Sequence, residues 1–154
     1  MKQLTQYITE KFKLNSKNTK NIHKYNYHPE TRDELKELVK KLIKERGDNA
    51  NLNDIDTSNI TDMSYIFKNS SFNGDISGWD VSNVTDMEKM FMCCFRFSGD
   101  ISGWDVSNVT NMESMFFQCF KFNPKSLENW NISKVENYKN IFFDILGRRP
   151  SWYK

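Results

Sequence analysis

The sequence has few cysteines, prolines and glycines: its 154 residues include 3 Cys, 3 Pro and 6 Gly. An odd number of cysteines without a CxxC spacing favours neither a disulfide framework nor a zinc site. Cys93, Cys94 and Cys119 are therefore expected to stay reduced. Because disulfides belong to oxidising compartments, this indicates a cytoplasmic protein.

Long apolar segments are also missing. The start of the chain, MKQLTQYITEKFKLN, lacks the apolar run of about 7 to 15 residues that marks a secretory signal. No segment approaches the roughly 20 apolar residues that are needed to span a bilayer. We therefore expect no export signal and no membrane partner.

The chain has little net charge, formally +2 at pH 7. Basic residues outnumber acidic ones by 12 to 7 in residues 1–50 and by 6 to 3 in residues 122–154, whereas acidic residues lead by 10 to 4 in residues 51–121. Most basic side chains lie in a predicted helix with interleaved acids or in a polar loop, which is not the basic stripe of a nucleic-acid-binding surface. We expect no nucleic-acid partner.

Aromatic residues, by contrast, are abundant, with 12 Phe, 6 Tyr and 4 Trp. A disordered chain has few aromatics and a high net charge, so this composition predicts a folded body with a core. A chain of 154 residues suits one domain better than two.

One segment occurs twice in nearly the same form. DVSNVTDMEKMF at residues 80–91 returns as DVSNVTNMESMF at residues 105–116. Copies of one apolar template, L-x-x-W-x-V-x-x-V-x-x-M-x-x-M-F, follow each other at offsets of 24, 25 and 26 residues and begin at Leu52, Ile76, Ile101 and Leu127. Internal repetition at this period is typical of stacked repeat proteins.

Within each repeat the apolar spacing changes from two residues to three. The spacing of Trp79 and Val81 predicts a short strand, with Asp80 on its outward side. Thr85 and Glu88 have the spacing of a capping box, which predicts a helical turn from Thr85 onward. Glycines expected to turn the chain with positive φ are Gly74, Gly78, Gly99 and Gly103. Because one repeat cannot bury its own apolar face, the sequence predicts an α/β repeat solenoid of about four coils with short parallel strands.

The N-terminal part is predicted to cap this stack. Residues 31–46, TRDELKELVKKLIKER, carry one apolar stripe at helical spacing. Thr31 and Glu34 form a capping box, and Gly47 is a stop signal. A shorter amphipathic helix is expected around Leu4, Tyr7, Ile8 and Phe12.

The predicted organisation has three parts: an N-terminal helical cap at residues 1–50, four repeats at residues 51–146 and a C-terminal tail at residues 147–154. Several aromatic residues near the two ends have two interpretations, as seals of the stack or as binding anchors. They are Tyr25, Tyr27, Trp152 and Tyr153.

The segment ISGWDVSNVTDMEKMF at residues 76–91 resembles the 25-residue repeat of BspA-like bacterial surface proteins, a branch of the leucine-rich repeats. The resemblance extends over about residues 52–146. It implies a right-handed solenoid with a parallel sheet on one side and short helices opposite. Many members of that family are secreted or lipid-anchored, but no signal segment supports a surface location here.

The outward positions of the predicted strands form a candidate protein-binding face. It comprises Asp56, Ser58, Asp80, Ser82, Asp105, Ser107, Asn131 and Ser133. One hypothesis is an acidic stripe that binds a basic peptide or a cation. The alternative, which the repetition favours, is that each Asp accepts hydrogen bonds from the Ser-Asn turn that follows it.

Other reactive residues do not combine into a recognisable site. His23 and His28 lie without a matching Cys or acidic cluster, and one Asp per coil supplies few of the six to eight oxygens that calcium takes. Cys94 and Cys119 hold equivalent places in adjacent repeats and are predicted to be buried. No nucleophile and base can be paired, so we expect no enzymatic activity, no metal and no cofactor.

The sequence thus favours a non-enzymatic module for protein–protein recognition, because stacked repeats present an extended surface. Its partner is expected to be another protein. Two alternatives stay open: a structural or assembly protein that self-associates or attaches to a larger particle, and an intracellular effector of a phage or of its bacterial host.

Overall fold

The computed structural model of the chain describes residues 25–145, 147 and 149–154. It contains one α-helix, α1, at Arg32–Arg46 and one 3-10 helix, η1, at Pro124–Leu127. The predicted helix around Leu4 to Phe12 lies outside the described residues, and the predicted division at residues 50 and 146 stays a prediction. Within the described part, no helix is long and apolar enough to cross a membrane.

Helix α1 forms as the capping signals predict. The Thr31 hydroxyl accepts the N–H of Glu34 at 3.2 Å, and Gly47 ends the helix with φ of 88°, its N–H donating to the Ile43 carbonyl. The apolar stripe of α1 is buried at Leu35, Leu38, Val39 and Leu42 and belongs to the one hydrophobic cluster that extends through the repeats.

Each repeat consists of linked four-residue turns. In the second repeat, the N–H of Trp79 donates to the Ile76 carbonyl at 3.1 Å and the N–H of Val84 to the Val81 carbonyl at 2.9 Å. Such a turn brings its first and fourth residues within about 7 Å of each other, and all four of these residues are buried. The three-residue apolar spacing therefore marks the two ends of a turn.

Successive repeats are joined by backbone hydrogen bonds from alternate residues. In the following pairs the first residue donates its N–H and the distance is 2.7–3.0 Å: Met63–Asp86, Tyr65–Glu88, Phe67–Met90, Asn69–Met92, Met87–Asn111, Lys89–Glu113, Phe91–Met115, Cys93–Phe117, Met112–Asn137, Ser114–Lys139, Phe116–Ile141 and Gln118–Phe143. Intervening N–H groups close turns inside their own repeat, as Cys94 does with Phe91.

The predicted α/β repeat solenoid is wrong. The described residues form no β-strand, and their parallel pairing is limited to isolated bridges at Tyr27–Ile55, Asn51–Asp75, Asp62–Asp86, Asp86–Asn111 and Asn111–Asn137. The physical reason is that turns follow each other too closely for an extended segment. The third residues of seven hydrogen-bonded turns have φ of 52–61°, and positive φ at this position is what type II turns require: Asn69, Lys89, Cys93, Ser114, Gln118, Asn140 and Asp144. Tyr65, at the equivalent place in the first repeat, has φ of 63°.

The helical turn predicted from Thr85 is also wrong. The Thr85 hydroxyl donates to the Thr61 carbonyl of the preceding repeat at 3.2 Å instead of capping a helix. The N–H of Glu88 is taken by the Asp86 carboxylate at 2.8 Å. Thr85 has the spacing of a capping box, but its hydroxyl forms a hydrogen bond between two repeats.

Aromatic rings form columns through the repeats. The rings of Phe67, Phe91, Phe116 and Phe142 follow each other at 5.3, 5.6 and 5.9 Å. Tryptophans add hydrogen bonds along the same direction, since the indole N–H of one repeat donates to a carbonyl of the repeat before it. These bonds, at 3.0–3.2 Å, are Trp79 to Leu52, Trp104 to Ile76 and Trp130 to Ile101.

The C-terminal residues pack on the fourth repeat. Trp152 continues the tryptophan series by donating to the Leu127 carbonyl at 2.8 Å. The rings of Trp152 and Tyr153 lie 5.8 and 5.3 Å from the ring of Phe142. These contacts favour the interpretation that Trp152 and Tyr153 seal the end of the stack, rather than the interpretation that they are binding anchors.

The four glycines expected to have positive φ do not have it. Gly74 instead allows two backbones to approach, because a Cβ there would lie 2.0 Å from the Ala50 carbonyl oxygen and 2.6 Å from the Phe72 ring. Gly103, by contrast, has open space around the position of a Cβ. The demand for glycine is thus steric and differs from one glycine to another.

Replacing Gly74 with alanine should destabilise the protein by about 2–4 kcal/mol, since the backbone at Ala50 must shift to admit the methyl group. The matched control is Gly103→Ala, which should change the free energy of unfolding by less than about 0.5 kcal/mol. Urea unfolding followed by tryptophan fluorescence measures both. Equal midpoints for the two variants would contradict the close approach at Gly74.

Candidate functional site

The residues of the predicted protein-binding face lie in four equivalent local turns. The side-chain oxygens of Asp56, Asp80, Asp105 and Asn131 accept the N–H of the serine two positions later at 3.0–3.1 Å: Ser58, Ser82, Ser107 and Ser133. The hydroxyls of Ser58 and Ser82 donate to the same oxygens at 2.7 Å. This geometry supports a role of the carboxylates in local structure.

The same motif occurs at two further places in the repeats. Asp75 and Asp100 accept the N–H of Ser77 and Ser102 at 2.9 and 3.0 Å. In a third series, a side-chain oxygen accepts the N–H of the residue two positions later at 2.8–3.1 Å. The accepting residues are Asp62, Asp86, Asn111 and Asn137. The acidic composition of residues 51–121 is therefore explained largely by turn formation.

Hydrogen bonding lowers the pKa of several of these carboxylates. The hydroxyl of Ser107, followed by its N–H, lowers the pKa of Asp105, and Ser102 does the same to the pKa of Asp100. At Asp56 burial acts to raise the pKa, but the bonds from Ser58 and His28 outweigh it and the pKa is lowered. The turns at Asp56, Asp100 and Asp105 are therefore stronger when their carboxylates are charged.

The histidine and cysteine residues form no metal-binding group in the described part of the chain. Nδ1 of His28 lies 3.1 Å from the Asp56 carboxylate. Cys94 and Cys119 are buried, as predicted, and their thiols donate to the carbonyls of Phe67 and Cys94 at 2.8 and 3.2 Å. Burial raises the pKa of the Cys94 thiol to about 12 and that of Cys119 further, so both are poor nucleophiles.

An exposed aromatic surface is the feature that sequence reasoning missed. Among the described residues, the large hydrophobic side chains that remain exposed are Phe95, Phe120 and Phe143, at 51, 48 and 52%. The half-buried Phe117 joins them. We call these four residues the aromatic strip.

The aromatic strip is ordered by stacking. The rings of Phe95 and Phe120 lie 5.5 Å apart at 14°, and those of Phe117 and Phe143 lie 4.8 Å apart at 6°. Gln118 lies between Phe117 and Phe120 in the sequence. Its side-chain amide donates to the Asp144 carboxylate at 3.2 Å, and the Cys93 thiol lies 3.7 Å from its Oε1.

A signal for this surface was present in the sequence. The segments CFRF at residues 94–97 and CFKF at residues 119–122 place two phenylalanines two positions apart, next to a buried cysteine. Of each pair, Phe97 and Phe122 are buried, and Phe95 and Phe120 point to solvent. The apolar template ended before these segments and so left them out.

Removing the Asp105 carboxylate should weaken the third repeat. Asp105→Ala is expected to lower the free energy of unfolding by about 0.5–1.5 kcal/mol through loss of the bonds from Ser107. Asp105→Asn keeps an acceptor oxygen, as Asn131 does in the fourth repeat, and should cost less. Urea unfolding at pH 7 compares the three proteins, and an Asn variant as unstable as the Ala variant would contradict the turn role.

The contribution of ionised Asp105 should also depend on pH. Because its pKa is lowered in the folded state, the unfolded chain takes up the proton first, and the stabilisation is lost as pH falls below about 3.9 toward the folded pKa. The stability difference between the parent and Asp105→Asn should therefore shrink from pH 6 to pH 3. A difference that grows as pH falls would contradict this assignment.

Comparison with known proteins identifies a family over most of the chain. Residues 33–148 match the family described as Mycoplasma protein of unknown function, DUF285. No curated protein and no solved structure matches the chain. The expected membership in the BspA-like leucine-rich repeat family is therefore wrong, because the family that matches is a different one. Since the match extends over more than half of the sequence, the chain belongs to the Mycoplasma protein family of unknown function DUF285.

Proposed function

We propose that this protein is a non-enzymatic recognition module that binds another protein through the aromatic strip. The observation that carries the proposal is the exposure of Phe95, Phe120 and Phe143, each about half accessible, in a chain whose other large apolar side chains are buried or half-buried in the described part. Each stacked pair of rings, Phe95–Phe120 and Phe117–Phe143, forms a continuous apolar surface, and exposed apolar patches mark interaction sites. Aromatic residues are also enriched in protein–protein interfaces.

The fold does not require rings at these positions. Ser70 of the first repeat is equivalent to Cys94, and the residue after it is Ser71 where the second repeat has Phe95. The first and second repeats nevertheless join through the same backbone bonds as the second and third. Because stacking proceeds without an outer ring, recognition is the better reason for exposing one.

The protein-binding face predicted from the sequence, here called the acidic face, supports recognition less well than the aromatic strip does. Its carboxylates are engaged by their own turns, as at Asp80 and Asp105. It is kept as the competing surface in the test. A cytoplasmic location belongs to the proposal and is supported by the three free thiols.

The double variant Phe95→Ser/Phe120→Ser should lose partner binding and keep its fold. A phage-displayed library of random dodecapeptides is selected on the parent protein, and the enriched peptides are titrated against each variant by fluorescence anisotropy. We expect at least tenfold weaker binding to the double variant, because about 1.5–3 kcal/mol accompanies burial of each Phe side chain.

The matched control is Asp80→Asn/Asp105→Asn, which removes two charges from the acidic face, keeps the acceptor oxygens of its turns and leaves the strip intact. It should bind the selected peptides like the parent. Peptides lost only by this control would assign recognition to the acidic face. If no peptide is enriched and sedimentation velocity shows a parent dimer that the Phe variant dissociates, the strip serves self-association and the proposal is wrong.

A further inference from the structure

A recess of about 210 Å³ lies at one end of the aromatic strip. It opens where the second repeat meets the first. Its lining residues are Asn69, Ser70, Ser71, Cys93, Phe95 and Arg96. The recess thus combines one aromatic wall, small polar side chains and one cation.

A difference in repeat length creates the recess. Ser70 and Cys94 close equivalent turns, and the rings of Phe72 and Phe97 stack at 6.4 Å. Between these fixed points the first repeat has the single residue Ser71, whereas the second has Phe95 and Arg96. The first repeat is therefore one residue shorter at this place and carries no outer ring.

The outer column of rings ends at this point. Phe95 stacks on Phe120 of the third repeat at 5.5 Å, and toward the first repeat it lines the recess together with the small side chains of Ser70 and Ser71. Rings of the inner Phe67 column are spaced 5.3–5.9 Å apart. A ring entering the recess would extend the outer column by one step with the same stacking geometry, which is favourable for aromatic pairs.

The positive charge of Arg96 beside the recess favours an acidic residue next to the bound ring. The Arg96 side chain is 62% exposed, and its Nη1 lies 3.8 Å from the Asp48 carboxylate. This separation exceeds the roughly 2.7–2.9 Å of a charge-assisted hydrogen bond. The guanidinium therefore has donors available for a carboxylate on a bound polypeptide.

Resting on the recognition function proposed above, we infer that the recess binds an aromatic side chain of the partner polypeptide while Arg96 pairs with an Asp or Glu adjacent to it. The ring stacks on Phe95 in the position that an outer phenylalanine of the first repeat would hold. Asn69 and the two serines provide polar groups at the rim for the partner backbone.

The test uses the full chain labelled with ¹⁵N and three blocked octapeptides of Gly and Ser that differ at the centre: Asp-Phe, Lys-Phe and Asp-Ala. The Asp-Phe peptide should shift the amide resonances of Asn69, Ser71 and Phe95 in a saturable manner. The Lys-Phe peptide should bind up to about fivefold more weakly, as expected for an exposed ion pair. The Asp-Ala peptide should cause no saturable shifts.

Two variants separate the ring from the charge. Ser71→Phe fills the recess from within and should abolish binding of the Asp-Phe peptide. Arg96→Glu should reverse the preference in favour of the Lys-Phe peptide. The matched control is Lys121→Glu, at the equivalent place in the third repeat, which should alter neither affinity.

The inference is overturned if the Asp-Phe peptide shifts no resonance at the recess or if Arg96→Glu leaves the preference between peptides unchanged. Shifts confined to Phe117 and Phe143 would overturn the recess assignment and leave recognition by the aromatic strip in place. The library selection with Phe95→Ser/Phe120→Ser decides that broader function separately.

Discussion

Backbone hydrogen bonds between successive repeats are the interaction on which the rest of the structure depends. Alternate N–H groups, such as those of Met87, Lys89 and Phe91, donate to carbonyls of the next repeat. A repeat without a neighbour would therefore have unpaired donors, and each buried unpaired donor costs about 1–3 kcal/mol. The ring columns and indole hydrogen bonds follow the same register. A repeat must therefore present its donors, rings and indole opposite those of its neighbour, which explains why residues 80–91 and 105–116 are nearly identical.

Turn formation accounts for the acidic residues of the middle segment, which resemble a charged binding surface. The carboxylates of the acidic middle segment mostly accept N–H groups two residues later, and Asn111, Asn131 and Asn137 do the same without charge. The property shared by these positions is thus an acceptor oxygen at the start of a turn. A row of like charges on a repeat protein consequently gives little information about the charge of its partner.

The sequence predicted burial well and backbone geometry poorly. Apolar template residues of the second and third repeats are buried throughout, as Trp79 and Trp104 illustrate, and in the fourth repeat Ile132 and Val135 are only partly buried. The fold class was wrong because three-residue apolar spacing fits a helical turn and a four-residue turn equally. Positive φ at a residue such as Lys89 has no signature in composition. The BspA-like resemblance added the same expectation of strands, so it could not correct the error.

Departures from the repeat are more informative about function than the repeat itself. A residue needed for stacking must recur in every repeat, and the indole and the inner phenylalanine come close to this pattern. Phe95 and Phe120 recur in two repeats only, remain about half exposed, and are followed by Arg96 and Lys121. The first repeat is one residue shorter at this place and forms the same contacts with its neighbour. Since the backbone is satisfied in either case, the outer rings are free to vary with the partner, and the recess beside Phe95 lies where their column ends.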